Sequence, residues 1–394
     1  MTRHQPTSFR IYCCMLLALA VGFQTNVLAQ QNTSTKATVS TKLPSDPPAD
    51  RNASANARAV LAFLQQLPLK KTQRLVSGQF VGWTLADCRS KLNKAVTKTE
   101  RFPALVGVDY YELPSSAFHS AAIPKKSLAP SVFQPEAWSP FLIDYWRQGG
   151  LVTISLCMNN PWTGNNLFDV KGGGSLGELL DSSTAGGSNY LAQLKAIGDG
   201  LAVLNEAGVV VLLRPFPEMS HRSFWWGAKS LSKTQGVNDT QTFRELWRHL
   251  FNYLTMERGL HNLLWVFAPV PALELEPYYP GGDFVDVVGF SFYSREQISP
   301  GCLTSYNKLL KLGKPLAFTE NGPGNPLPVS GDFDLDYLAW LRAVQEHMPM
   351  ITYFQCWRDG WGLAANRNTR ELMADPRVIT RESLSIPGVT RQHP

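Results

Sequence analysis

Eight short apolar runs punctuate this chain, and longer stretches, several of them helical in pattern, separate one from the next. The runs are Arg74–Phe80, Ala104–Tyr110, Leu151–Cys157, Val209–Pro215, Leu263–Ala268, Val285–Phe292, Pro315–Thr319 and Ile351–Gln355. The clearest opens Val209-Val-Val-Leu-Leu, with no polar residue at alternate positions. A strand of that kind is buried on both faces, which is the pattern of a parallel sheet. Between the runs, Tyr190–Ala207 reads as a helix stopping before Gly208, Thr242–Glu257 as one stopping before Gly259, and Asp334–His347 as a third. Strands alternating with helices make parallel βαβ units. Eight such units close on themselves, so the expected fold is α/β, a single-domain (β/α)8 TIM barrel.

Two glutamates stand just beyond such runs. Glu218 follows the fourth, in Arg-Pro-Phe-Pro-Glu218-Met, and Glu320 follows the seventh, in Phe-Thr-Glu320-Asn-Gly. The C-terminal strand ends are where parallel barrels carry their chemistry. A pair of carboxyl groups there is the minimum equipment for hydrolysing a glycosidic bond. Each glutamate alone reads equally well as a rim ion pair or a helix-cap neighbour. Their company favours the chemical reading. Asp109-Tyr-Tyr-Glu follows the second strand, Asn159-Asn160-Pro-Trp162 the third, Phe224-Trp-Trp226-Gly the fourth and Trp357-Arg-Asp-Gly-Trp361 the eighth. Arg214 lies near the end of the fourth strand and Tyr293 at the end of the sixth. Aromatic faces stack on sugar rings, while amides, acids and arginine bind hydroxyls, so the expected partner is a polysaccharide. For Trp225 and Trp226, core and cleft stand as equal alternatives, since adjacent side chains do not easily face one cleft.

The ends of the chain carry a different message. Arg3 and Arg10 precede an apolar stretch of 13 residues, Ile11–Phe23, and Val27-Leu-Ala29 precedes Gln30. This reads as a secretory signal peptide over residues 1–29, too short to span a bilayer comfortably. Residues 30–51 are rich in Gln, Asn, Thr, Ser and Pro and read as a flexible linker. The catalytic barrel is expected over 52–387, with a tail at 388–394. Removing the leader takes away two arginines and no acid, so +6 − 2 leaves a net charge of +4. With no basic-aromatic stripe, nucleic acid is not an expected partner. After signal cleavage no membrane association is expected, and a monomer is expected. No Cys-x-x-Cys or His-Glu-x-x-His is present, so neither a metal nor another cofactor is expected. Cys88, Cys157, Cys302 and Cys356 leave room for one disulfide of unreadable connectivity, and Asn32, Asn52 and Asn238 head glycosylation sequons.

The stretch Arg214-Pro-Phe-Pro-Glu218-Met-Ser-His-Arg-Ser-Phe224-Trp-Trp-Gly227 resembles the acid/base signature of glycoside hydrolase family 26. Tyr279–Tyr293, Thr319-Glu320-Asn-Gly322, Ser77-Gly-Gln and Pro103–Asp109 resemble the family's strands 6, 7, 1 and 2, so the likeness spans about residues 70 to 362. The resemblance implies a secreted, retaining hydrolase of β-linked polysaccharide, most familiarly an endo-β-1,4-mannanase. It implies Glu218 as acid/base, Glu320 as nucleophile, Tyr293 and Arg214 as the groups ordering that nucleophile, and Trp357 as the platform under the sugar. Asn159, Asn160, Trp162, Trp226, His221 and Asp109 are further candidates for sugar binding. The chain departs from the family pattern at Pro217, Ser220, His221, Ser223, Cys157 and Ser291, where His, Asn, Gly, Trp, His and Asp are usual. Those departures point to a rebuilt sugar shell, and so to β-glucan, β-xylan or a bacterial exopolysaccharide as the alternative substrate. A catalytically silent carbohydrate-binding protein is the alternative of another class.

Overall fold

All eight runs form strands in the computed structural model, which describes residues 46–112, 132–133, 135–170, 174–221, 223–227, 240–271, 275–294, 298–324 and 335–391. They are β1 (Gly78–Gly82), β2 (Leu105–Asp109), β3 (Leu151–Leu156), β4 (Val211–Pro215), β5 (Leu263–Phe267), β6 (Val287–Tyr293), β7 (Leu316–Gly322) and β8 (Ile351–Cys356). Each pairs in parallel with its sequence neighbours, and β8 returns to β1 to close the sheet. The fold is a (β/α)8 barrel. The closure is thin: one backbone pairing, Cys356 with Gln79, supplemented by a two-residue segment, Leu75–Val76, beside Tyr353.

Helices cover the outside. They are α1 (Ala55–Gln66), α2 (Leu85–Thr99), α3 (Pro135–Arg147), α4 (Ala185–Glu206), α5 (Thr240–Asn252), α6 (Pro300–Leu310), α7 (Tyr337–His347) and α8 (Thr369–Ala374). Their starts follow the chemistry of unsatisfied N–H groups: the Thr84, Thr184, Ser299 and Asp336 side chains each accept a hydrogen bond from the first turn. Gly208, at φ +69°, follows α4 in the left-handed conformation that glycine adopts freely. Between β5 and β6 the described residues carry only two short 3₁₀ turns, Glu276–Tyr278 and Gly282–Phe284, in place of a helix. None of the described helices is long and apolar enough to cross a membrane.

The expected leader, two of the three sequons and most of the expected linker lie outside the described residues. Packed chain is already present ahead of Asn52. The Ala49 N–H donates to Asp286 at 2.7 Å, and buried Asp50 pairs with His261 at 2.7 Å, both on the barrel's N-terminal side. Near the other end, Arg391 lies over the Trp146 ring. Cys88, Cys157, Cys302 and Cys356 are free thiols.

Candidate active site

The register of the strands places the polar residues of the upper lumen side by side. Asp109, Ser155 and Arg214 align across β2, β3 and β4. The Arg214 guanidinium is buried; its Nε donates to Ser155 Oγ at 3.0 Å, and Nη2 reaches Glu320 Oε1 on β7 at 2.5 Å. The Tyr293 hydroxyl donates to the other oxygen, Glu320 Oε2, at 2.9 Å. Both oxygens of Glu320 are therefore held, one by a guanidinium and one by a phenol hydroxyl.

Simple strand alternation would not aim Glu320 inward. Phe318 pairs with Phe290 and turns outward against Trp340 of α7. The next pairing joins Glu320, not Thr319, to Ser291. One extra residue thus sits in β7. Such a bulge re-aims the side chain that follows it, here from the helix side to the lumen. Gly289 on β6 makes the room: a Cβ there would lie 2.6 Å from both the Ala317 carbonyl oxygen and Thr319 Cγ2.

Glu218 arrives by a different device. Beyond β4 the backbone enters the left-handed region twice, at Phe216 (φ +46°) and at Glu218 itself (φ +54°). Non-glycine residues persist there only where packing over-determines them. Here the Phe216 ring is buried against Trp225, Trp226 and Phe243, and the Glu218 N–H donates to Ala268 O at 2.8 Å. The carboxyl group is held by Ser291, whose hydroxyl donates to Glu218 Oε1 at 2.6 Å. Burial, followed by the charge of Glu320, raises its pKa to about 7, against the opposing pull of Ser291 and Arg214.

The remaining residues divide. Trp357 is half-buried just past β8, stacked on Phe80 at 4.1 Å between ring centroids and 20° between planes, with Trp83 edge-on. Its N–H is tied to Asn321 O and its carbonyl to Gln79 Nε2. Asp109 is fully buried, its Oδ1 accepting the N–H groups of Tyr111 and Cys157; burial, partly offset by Cys157 and these N–H groups, raises its pKa to about 6. The Cys157 thiol is pushed up by burial and by Asp109. Asn159, Trp162 and His221 are half-buried; the Trp162 indole N–H donates to Glu178.

Two candidates are corrected. Trp226 is 0% exposed, stacked on Phe224, with its indole N–H donating to Pro217 O at 2.9 Å. It braces the Glu218 loop from below and offers no face to a ligand. Trp225, equally buried, ties the same loop to Met158 O. Asn160 is 1% exposed; its Nδ2 donates to Asp169 O, and its Oδ1 accepts the N–H groups of Trp162 and Thr163. It knots the β3 loop. Sequence reasoning passed over Ser155 and Phe80 as partners within the site, and took Ser291 as a departure in the sugar shell rather than as the partner of Glu218. For Ser291 the signal was present: it lies two residues before Tyr293 on one strand, and so on the same face.

The model of glycosyl hydrolase family 26 matches residues 49–383. The chain is 32% identical over 334 residues to the mannan endo-1,4-β-mannosidase A and B of Caldalkalibacillus mannanilyticus, covering 84% of this chain and 61% of that one. It is 31% identical over 337 residues to a mannan endo-1,4-β-mannosidase of Bacillus subtilis, covering 85% and 88%. Among solved structures, the Bacillus subtilis mannanase BCman superposes with a TM-score of 0.73 at 30% identity, over 88% of this chain and 100% of that one. The chain belongs to glycosyl hydrolase family 26 and is a glycoside hydrolase.

Proposed function

We propose that this chain is an exported endo-β-1,4-mannanase working by double displacement, with Glu320 as nucleophile and Glu218 as acid/base. The observation that carries the roles is the unequal treatment of the two carboxyl groups. Glu320 is bonded at both oxygens by Arg214 and Tyr293, while Glu218 faces a single hydroxyl and has its pKa raised to about 7. Carboxyl pairs whose environments push them apart divide into acid and nucleophile in this way. In the first step a Glu320 oxygen bonds the anomeric carbon while the glycosidic bond breaks, and Glu218 gives its proton to the departing oxygen. In the second, Glu218 takes a proton from water as that water displaces Glu320, restoring both groups. Bonding to the sugar removes the Glu320 charge, which lowers the Glu218 pKa and suits it to act as base.

Mannan as substrate rests on the mannosidases named above, and export rests on the N-terminal sequence. A second reading keeps the chemistry and changes the glycan. Pro217 is buried with its carbonyl taken by Trp226, and Cys157 faces Asp109. Neither supplies the donor an imidazole would, and Ser223 supplies no stacking face. Glu320→Ala is expected to lose turnover by at least about 10⁴-fold and to regain it with azide, giving a product of inverted anomeric configuration. Retention of activity without azide would refute the assignment. Relative kcat/KM on mannan, β-glucan, β-xylan and bacterial exopolysaccharide decides between the two substrate readings.

A further inference from the structure

Ser291 and Tyr293 are alternate residues of β6 and point to the same side of the strand. Each hydroxyl takes one of the two carboxyl groups: Ser291 donates to Glu218 Oε1 at 2.6 Å, and Tyr293 to Glu320 Oε2 at 2.9 Å. A single rigid strand therefore gauges both partners of the pair. Tyr293 shares its task with Arg214. Ser291 is the one side chain with a described hydrogen bond to the Glu218 carboxyl, and it is buried.

We propose that Ser291 is a positioning residue for the acid: its hydroxyl occupies Glu218 Oε1, so that the proton Glu218 delivers is carried on the other oxygen, Oε2. A serine has one O–H to donate. That proton engages one lone pair of Oε1, and protonation at Oε2 leaves Oε1 the carbonyl-type acceptor and keeps the Ser291 bond. Protonation at Oε1 would force the Ser291 hydroxyl to turn and give up its donation. The same bond favours the carboxylate, so Ser291 also holds the pKa of Glu218 below the level that burial and Glu320 alone would impose. The charged and titratable groups around it are Glu320 on β7, Arg214 on β4 and Tyr293 on β6, with Asp109 and Cys157 beside Arg214; His221, on its own loop, meets it through the backbone, His221 N–H donating to Glu218 O at 2.7 Å.

The inference rests on Glu218 being the acid, and the experiment separates the two. kcat/KM is measured against pH for the full chain and for Ser291→Ala, Ser291→Thr and Glu218→Ala. The substrates are soluble β-1,4-mannan and a dinitrophenyl β-mannobioside, whose leaving group needs no acid. For Ser291→Ala the basic limb moves up by about one pH unit. Turnover of mannan falls about tenfold or more, and that of the aryl glycoside by less than about threefold. Ser291→Thr, which retains a hydroxyl, restores both readouts. An unmoved basic limb with equal losses on the two substrates would mean that Ser291 merely fills space, and would overturn the proposal. Glu218→Ala tests the underlying reading: it is expected to lose mannan turnover while sparing the aryl glycoside. If it spares both, Glu218 is not the acid, whatever Ser291 does.

Discussion

At Glu218 the proposed function and stability oppose one another. Its pKa of about 7 in the folded chain stands above the ordinary 4.5. Between those values the folded state keeps a proton that the unfolded chain has released, so stability falls as pH rises through the window. The cost is complete above about pH 7 and absent below about pH 4. Glu218→Gln removes the charge and keeps the shape. At pH 8 it is expected to melt higher than the native chain, by up to roughly 3 kcal/mol, with the difference vanishing at pH 4. Thermal unfolding at the two pH values measures this. A variant less stable than the native chain at pH 8 would show that the carboxylate is stabilised in its site.

At the scale of the strand, the bulge in β7 decides where Glu320, the proposed nucleophile, points. It exists because Gly289 on the neighbouring strand yields the space of a side chain. Gly289→Ala would drive a methyl group to within 2.6 Å of the Ala317 carbonyl and of Thr319 Cγ2. Overpacking of this kind costs about 1–3 kcal/mol. The displaced bulge would also carry Glu320 away from Arg214 and Tyr293. kcat is expected to fall about 10²-fold, on aryl glycosides as well as on polysaccharide, because a misplacement of about 1 Å costs that much. A chain that tolerates the methyl group with unchanged kcat would show that the bulge does not depend on Gly289.

Closure is the weak seam of the whole barrel, and a side chain reinforces it. Buried Gln79 donates from Nε2 to Phe80 O at 2.8 Å and to Trp357 O at 2.7 Å, and its Oε1 accepts from Leu363 N at 2.9 Å. It stitches β1 to the segment after β8, where the backbone ladder has a single pairing. Gln79→Ala leaves those buried groups unpaired, at about 1–3 kcal/mol for each group stranded. It also loosens the backbone of Trp357, so KM for the polysaccharide should rise along with a fall in melting temperature. An unchanged KM in a destabilised variant would confine Gln79 to the seam.

Much of the barrel was legible in the chain because its determinants are local. An apolar run buried on both faces reads as a parallel strand wherever it occurs, and all eight runs lie within a few residues of the observed strands. Glu218 and Glu320 stood out because charge directly after such a run has no place in a core. Trp226 and Asn160 misled for a related reason: an aromatic or an amide in a rim loop serves equally to bind sugar or to knot the loop, and only packing tells which. The aim of Glu320 depends on one inserted residue and on a glycine 31 positions away in the opposing strand. The hold on Glu218 depends on a serine 73 residues distant. Local periodicity determines which segments become strands and helices; contacts between strands far apart in the chain decide which oxygen of which carboxyl group is held, and by whom.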